Sequence, residues 1–482
     1  MLAMALQETT VRTPEGRFVE INGRSLYEIE NIDAMPPFLM TVVGDTDLWM
    51  FLSSNGSFTA GRVEAERCLF PYETDDRIHE LAGIAGPVTL IRFSDGRLWE
   101  PMSPHANAST FTRTLRRSAV GDLVQFEERD AATGVIFRAE FALSDTYGIV
   151  RSCELVAPDD GAGVELDLLD GYLHVMPAGV PLGLQQTMST LVDGYKRSER
   201  VTENGPAVYL LESPISDKPE ASESLRANVL WHTGLDGATV SLDSRAVDAF
   251  RAGQTVDPAH LSLGRRGAYL CFTSLRLAPG MSERWNMVGD TDLDHADVTK
   301  LARELGDADS LADRVEASLE RDHQSLAALL DGADGAQVTA DAVACAAHRS
   351  NVLFNAMRGG VPLADYAIDA ADFRQFVRAR NSTVADRHRA FLDRLPAELS
   401  VETLPQAVAR AECPQLTRLA MEYLPLTFGR RHGDPSRPWN QFRIKVRDDN
   451  GERVSGYEGN WRDIFQNWEA MCRSYPALLP GV

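Results

Sequence analysis

Two stretches near the end of the chain hold the residue types from which a sugar or anion site is built. The first runs Gly429-Arg-Arg-His-Gly-Asp-Pro-Ser-Arg-Pro-Trp439. Arg430, Arg431 and Arg437 lie close together there, beside His432, between glycines and prolines that fix the turns. Guanidinium forks grip phosphate or carboxylate bidentately. An imidazole titrates near neutral pH. These four residues are candidates for an anion subsite, and the arginines would equally suit surface carboxylates, where a pair adds little energy.

The second stretch runs Tyr457-Glu-Gly-Asn-Trp-Arg-Asp-Ile-Phe-Gln-Asn-Trp-Glu469. Read as a helix, it puts Trp461, Phe465 and Trp468 on one face and Arg462 with Gln466 on another, Asp463 beside them. Arg462, Asp463 and Gln466 would offer donors and acceptors to sugar hydroxyls. Trp461 or Trp439 would be the stacking platform. A structural reading competes: Asn460 is a good N-cap, Asp463 suits the positive end of a helix, and the aromatics are core.

Elsewhere the chemistry thins out. The Asp45, Asp47 pair and Asp75-Asp76 lack the further oxygen ligands of a calcium loop and read as solvated turns. Trp99 reads as core. His79, His174, His232 and His348 have no partner in sequence and read as structural. The six cysteines form no C-x-x-C pair or metal-type array, so they read as reduced thiols, with no metal and no cofactor. There is no G-x-S-x-G elbow, no phosphate loop and no dinucleotide fingerprint after a strand. No catalytic residue is assigned.

The elements that must position these residues change type along the chain. Residues 1–290 alternate apolar and polar in short runs punctuated by Asn22-Gly23, Asn55-Gly56, Ser94-Asp95-Gly96 and Thr133-Gly134, which predicts a large antiparallel β-sandwich. A parallel α/β fold would need helices between these strands, and the sequence has none there. From about 291 to 402 the period becomes helical, with starts near Asp292, Ser310, Ala340, Asp369 and Thr383 and a break at Asn381. Residues 403–482 begin a further helical segment, divided at Cys413-Pro414, then a hairpin about Asp449-Asn450-Gly451 and a helix from Trp461. The fold class is therefore a β + α multidomain chain.

The totals agree. At 482 residues the chain is long enough for two or three domains. Its 44% hydrophobic and 24% charged content is that of a globular protein. A net charge of −22 opposes binding to nucleic acid or an anionic membrane surface. No apolar run is long enough to span a bilayer and no signal peptide is visible, which places the chain in the cytoplasm. The cations are nearly all Arg, which reads as coding bias.

Two segments resemble glycoside hydrolase family 94, the cellobiose- and chitobiose-phosphorylase-like proteins. Gly96-Arg-Leu-Trp-Glu-Pro101, followed by His105, looks like the family's D-G-x-x-W-x-P strand. Gly459-Asn-Trp-Arg-Asp-Ile-Phe-Gln-Asn467 looks like its G-[FY]-R-D-x-x-Q-D segment, with one extra residue before Arg462 and Asn467 in place of the family's Asp. The resemblance implies a β-sandwich, linker helices and the start of an (α/α)6 barrel, with Arg462, Asp463 and Gln466 holding sugar and inorganic phosphate as possible co-substrate. The family's general acid lies in a G-D-W-N-D segment that is absent here. The chain then reads as the N-terminal half of a glycoside phosphorylase or hydrolase, inactive alone, with self-association through an uncovered helical face. The alternative is a non-catalytic glycan-binding or scaffold protein.

Overall fold

A computed structural model describes residues 12–482, apart from 162, 216–223, 307–309, 430–432, 439–440, 449–450, 452, 457–467, 470, 474 and the side chain of 398. The described chain divides into two compact units. The first comprises Met1–Val43, Trp49–Gly61 and Ala65–Leu319; the second comprises Gly44–Leu48, Arg62–Glu64 and Glu320–Val482.

The first unit is an antiparallel sandwich. Among the described residues its larger sheet has 11 strands and the sheet packed on it has 5. The larger sheet runs, in spatial order, Glu15–Ile21, Arg24–Glu30, Phe111–Ser118, Leu123–Asp130, Ile136–Ser144, Gly148–Val156, Ser282–Leu293, Ala227–Thr233, Ala207–Leu211, Lys196–Arg200 and Leu261–Leu263. The smaller runs Thr239–Ser241, Gly267–Leu277, Val164–Val175, Gly86–Phe93 and Leu98–Trp99. Between them lie Phe126, Phe137, Phe141, Tyr172 and Trp285, all buried. The expected turns form: Asn22 and Gly23 both take positive φ, as the tight turn between the first two strands requires.

A row of alternating charge crosses seven neighbouring strands of the larger sheet. Arg17 meets Glu28 at 2.7 Å, Glu28 meets Arg116 at 2.6 Å, and Arg116 meets Glu127 at 3.0 Å. Arg138 then bridges Glu127 and Glu154, each at 2.7 Å, and Arg284 closes on Glu154 at 2.8 Å. Opposite charges facing each other across strands favour one register over its neighbours. Burial pushes the Glu127 and Glu154 carboxyls up, but their arginines outweigh it and hold both below the ordinary carboxylate range.

The same charge hid two strands. Phe111–Ser118 carries Arg113, Arg116 and Arg117, and Ser282–Leu293 carries Glu283 and Arg284, so their apolar alternation is diluted. The helix expected from Asp292 begins at His295, because the preceding strand runs to Leu293. The helices His295–Gly306 and Leu311–Gly332 follow; Leu305, Leu311 and Val315 bury against Tyr147, Val150 and Trp231.

The second unit is mainly helical: Ala342–Gly359, Ala370–Arg380, Ser382–Arg387, Arg389–Leu392, Thr403–Ala409 and Pro414–Glu422. Helix starts are capped as the sequence suggests. Asp341 accepts from the Ala344 N–H at 3.0 Å, and Asn381, at the expected break, accepts from Val384 at 3.0 Å. Pro414 opens the last of these helices, where its missing N–H costs nothing. Among the described residues no helix is long and apolar enough to cross a membrane.

Replacing Glu127 with Gln leaves the buried Arg116 and the half-buried Arg138 short of a carboxylate and should destabilise the sandwich by about 1–3 kcal/mol at pH 7. Because the folded-state Glu127 carboxyl sits below its ordinary value, its contribution is complete above about pH 5 and is lost as pH falls through that range. Urea unfolding at pH 7 and pH 4 checks both: the deficit of the variant should shrink at the lower pH.

Candidate functional site

Of the nine residues expected to contact ligand near the C-terminus, Arg430, Arg431, His432, Trp439, Trp461, Arg462, Asp463 and Gln466 lie outside the described residues. Arg437 is described. It is half-buried, and its N–H donates to the Asp434 carbonyl at 2.9 Å. The Asp434 carboxylate accepts from the Ser436 N–H at 2.8 Å, so Asp434-Pro-Ser-Arg437 is a turn held by its own side chain.

The structure brings together the roots of the two stretches. Leu426–Thr427 pairs with Val361–Pro362 just before the arginine loop. Gly456, the last described residue before the second stretch, donates its N–H to the Leu426 carbonyl at 2.6 Å. Trp468, the first described residue within it, is buried with Leu426, Met471, Tyr475 and Leu478. Its indole N–H donates to the Gly359 carbonyl at 2.7 Å. Leu426 therefore touches both ends of the second stretch and lies two residues before the buried, left-handed Phe428 that enters the first. Trp468 is covered, contrary to the expected exposed aromatic face; Trp461 and Phe465 lie outside the described residues.

A carboxylate from the other end of the sequence anchors the segment between these stretches. Asp45 was expected in a solvated turn, but it is only 1% exposed. The Arg453 guanidinium and the Ser325 hydroxyl, the latter at 2.7 Å, both donate to its Oδ2. The Arg447 guanidinium lies 3.7 Å away. The Ile444 N–H donates to the Val63 carbonyl at 2.7 Å. A buried carboxylate needs this many partners, since desolvation otherwise forbids its charge. Asp47 pairs with Arg62 at 2.6 Å.

The second motif, in the sandwich unit, is a rigid loop. Trp99 is buried, and its indole N–H donates to Glu128 Oε1 at 2.8 Å. Glu128 Oε2 accepts from the Met102 N–H at 2.8 Å and from Arg113 Nε at 2.6 Å. Arg113 in turn donates to the Ser103 carbonyl at 2.8 Å. Arg97 forks onto Asp130 at 2.9 and 2.8 Å, and Arg251 forks onto Glu100 at 2.9 and 2.8 Å. Burial pushes the Asp130 carboxyl up, but Arg97 and Thr133 outweigh it and hold it below the ordinary carboxylate range. Hydrogen bonding to Glu100 raises the Arg251 guanidinium above its ordinary value. Met102 takes a positive φ of 63° within this frame, and His105 beyond it is exposed. Trp99 is thus core, as its sequence context suggests. Glu128 and Asp130 were missed; the available signal was two carboxylates on the inward face of a strand, which demand partners.

Residues 364–425 match the sequence profile of glycoside hydrolase family 149 insertion domain 1. No curated protein sequence matches the chain. Among solved structures, it is similar to a bacterial glucoamylase complexed with acarbose (10% identity, TM-score 0.39, covering 81% of this chain and 55% of that one). It is also similar to a putative kojibiose phosphorylase from human microbiome (9%, 0.29, 85% and 46%) and to the family GH92 α-mannosidase BT3965 from Bacteroides thetaiotaomicron (9%, 0.31, 82% and 53%). The chain spans about half the length of these structures.

The matched segment has the build of an insertion. Ile368, Phe373, Val377, Leu416, Leu419 and Tyr423 form a core of their own. The Tyr423 hydroxyl donates to the Asp372 carboxylate. Its two ends meet where Val361–Pro362 pairs with Leu426–Thr427 and where the Leu363 N–H donates to the Pro425 carbonyl at 2.8 Å.

Two outcomes follow. Glu128→Gln should cost about 3–5 kcal/mol, because it leaves the Arg113 charge buried without its carboxylate; denaturant unfolding reads this, and a cost under about 1 kcal/mol would mean the loop is held by something else. Replacing residues 364–425 with a short Gly-Ser link should leave the remainder folded, since the ends are only a strand-pair spacing apart, about 5 Å; a retained cooperative melt of the sandwich checks it.

Proposed function

We propose that this chain is a carbohydrate-active protein of the glycoside phosphorylase or hydrolase type. In this reading Arg462, Asp463 and Gln466 contact sugar, with Trp461 and Trp439 as stacking surfaces. Arg430, Arg431, His432 and Arg437 form an adjoining anion subsite that takes inorganic phosphate. The observation that carries the reading is the match of residues 364–425 to a glycoside hydrolase insertion domain. That domain ends on the strand pair Val361–Pro362 with Leu426–Thr427, from which the arginine loop departs. The hydrogen bond from Gly456 to Leu426 and the burial of Trp468 beside Leu426 support placing the two stretches next to each other.

Inverting transfer to phosphate makes two chemical demands. It needs a general acid on the leaving oxygen, and it needs phosphate on the opposite face of the sugar ring. A cluster of guanidiniums meets the second demand, because it gathers a dianion and holds its oxygens in place. Arg462 and Gln466 suit orientation of the sugar hydroxyls.

Calorimetric titration of the full chain against gluco-oligosaccharides and inorganic phosphate tests the reading. Arg462→Ala should weaken oligosaccharide binding by about tenfold or more, the loss of a charged hydrogen bond. Arg437→Ala should weaken phosphate binding and leave the sugar affinity nearly unchanged. Oligosaccharide affinity unchanged in both Arg462→Ala and Gln466→Ala would overturn the assignment.

A further inference from the structure

The helix Ala370–Arg380 and the two short helices after it, Ser382–Arg387 and Arg389–Leu392, carry a charge opposite to that of the chain as a whole. Residues 373–394 hold six arginines, Arg374, Arg378, Arg380, Arg387, Arg389 and Arg394, against two aspartates, Asp386 and Asp393, a net charge of +4. The whole chain carries −22, so the remainder carries −26. The acids just before this run are already engaged. Asp369 accepts from the Ala371 N–H at 2.7 Å, and Asp372 accepts from the Tyr423 hydroxyl.

Packing draws the arginines together. Arg374 and Arg378 stand about one turn apart on one side of the first helix. Arg374 Nη1 donates to the Leu392 carbonyl at 3.5 Å, and Arg378 lies 4.0 Å from Asp386 Oδ1, which Arg389 meets at 2.7 Å. Arg394 Nε donates to the Ala390 carbonyl at 2.8 Å, and Arg380 lies 5.3 Å over the Phe376 ring. Among the described residues Asp386 is the one carboxylate within ion-pair range of the six. The Arg378 and Arg389 side chains are 66% and 62% exposed, and Arg380, Arg387 and Arg394 are exposed as well. The carbonyl end of a helix offsets roughly half a charge, so most of the +4 faces solvent unmatched.

We propose that this basic surface docks an acidic oligosaccharide, with the guanidinium forks taking its carboxylate or sulfate groups. Planar guanidiniums bind such groups bidentately, and the exposed ones here have donors to spare. Phe376 and Phe391 pack against the core beneath, so the surface presents charge rather than the stacking platforms that single-stranded nucleic acid uses. A duplex or an anionic membrane extends well beyond three short helices and would also meet the −26 of the remaining chain. A short acidic saccharide fits within the basic surface, and screening over about 8 Å shields it from more distant acids. The surface itself stands on charge and exposure. Its occupant being a saccharide rests on the carbohydrate-active reading above.

The test is calorimetric titration of the full chain with an oligogalacturonate of about six units, beside a neutral gluco-oligosaccharide of equal length, a short single-stranded DNA and vesicles rich in phosphatidylserine. The oligogalacturonate should bind more tightly than the DNA or the vesicles, and should weaken at least about tenfold as NaCl rises from about 0.05 to about 0.5 M. Arg378→Glu combined with Arg389→Glu should weaken it at least about tenfold and leave the affinity for the neutral saccharide unchanged. Arg380→Glu with Arg387→Glu serves as a second pair should the first fail to fold. Arg276→Glu, a reversal of an 80% exposed arginine in the sandwich, should leave oligogalacturonate affinity within about twofold. Oligogalacturonate binding that is lost in the paired variants supports the surface whether or not the neutral saccharide binds. Parental affinity in a folded paired variant, or DNA or vesicles binding more tightly than the oligogalacturonate, would overturn the proposal.

Discussion

The sandwich depends on how one strand, Leu123–Asp130, places its carboxylates. Successive side chains of a strand point to opposite faces. Glu127 therefore enters the row of arginine–glutamate pairs on one face, between Arg116 and Arg138. Glu128 and Asp130 point to the other face, where they hold Trp99, Met102, Arg113 and Arg97. A register slip of one residue would exchange these roles. It would bury Glu127 among aromatic rings and put Glu128 in the charge row, so the two sets of pairs enforce one alignment.

The helical unit uses a different device. Its inserted segment has its own core and returns to its starting point, so the flanking strand pair behaves as a fixed platform. Leu426 of that platform meets Gly456 and Trp468, which bracket the Arg462 stretch. Asp45, more than 400 residues away from Arg453, holds the intervening hairpin segment. The candidate sugar and anion residues thus spring from one anchored region although they are separated by some 20 residues of sequence.

Much of this was legible in the sequence. Turn dipeptides located the early hairpins, and the change of period located the helical half. Asn381 and Pro414 broke helices where local capping rules say they should. Local rules failed where long-range pairing decided the outcome. Arg-rich Phe111–Ser118 shows little apolar alternation, because its charges are satisfied by residues distant in sequence, Glu28 and Glu128 among them. Asp45 looked like a solvated turn, because its partners Ser325 and Arg453 lie hundreds of residues away. The prevalence of Arg over Lys also gains a physical use: forked cross-strand and loop-holding pairs need a planar guanidinium.

The central claim is that the Arg462 stretch, rooted on Leu426 and Trp468, meets carbohydrate. Hydrogen exchange of the full chain, read by mass spectrometry with and without a saturating gluco-oligosaccharide, addresses it most directly. The account predicts slowed exchange in the peptide covering residues 457–469 and in the arginine loop about Arg437. Protection confined to the sandwich strands, with residues 457–469 unchanged, would contradict it.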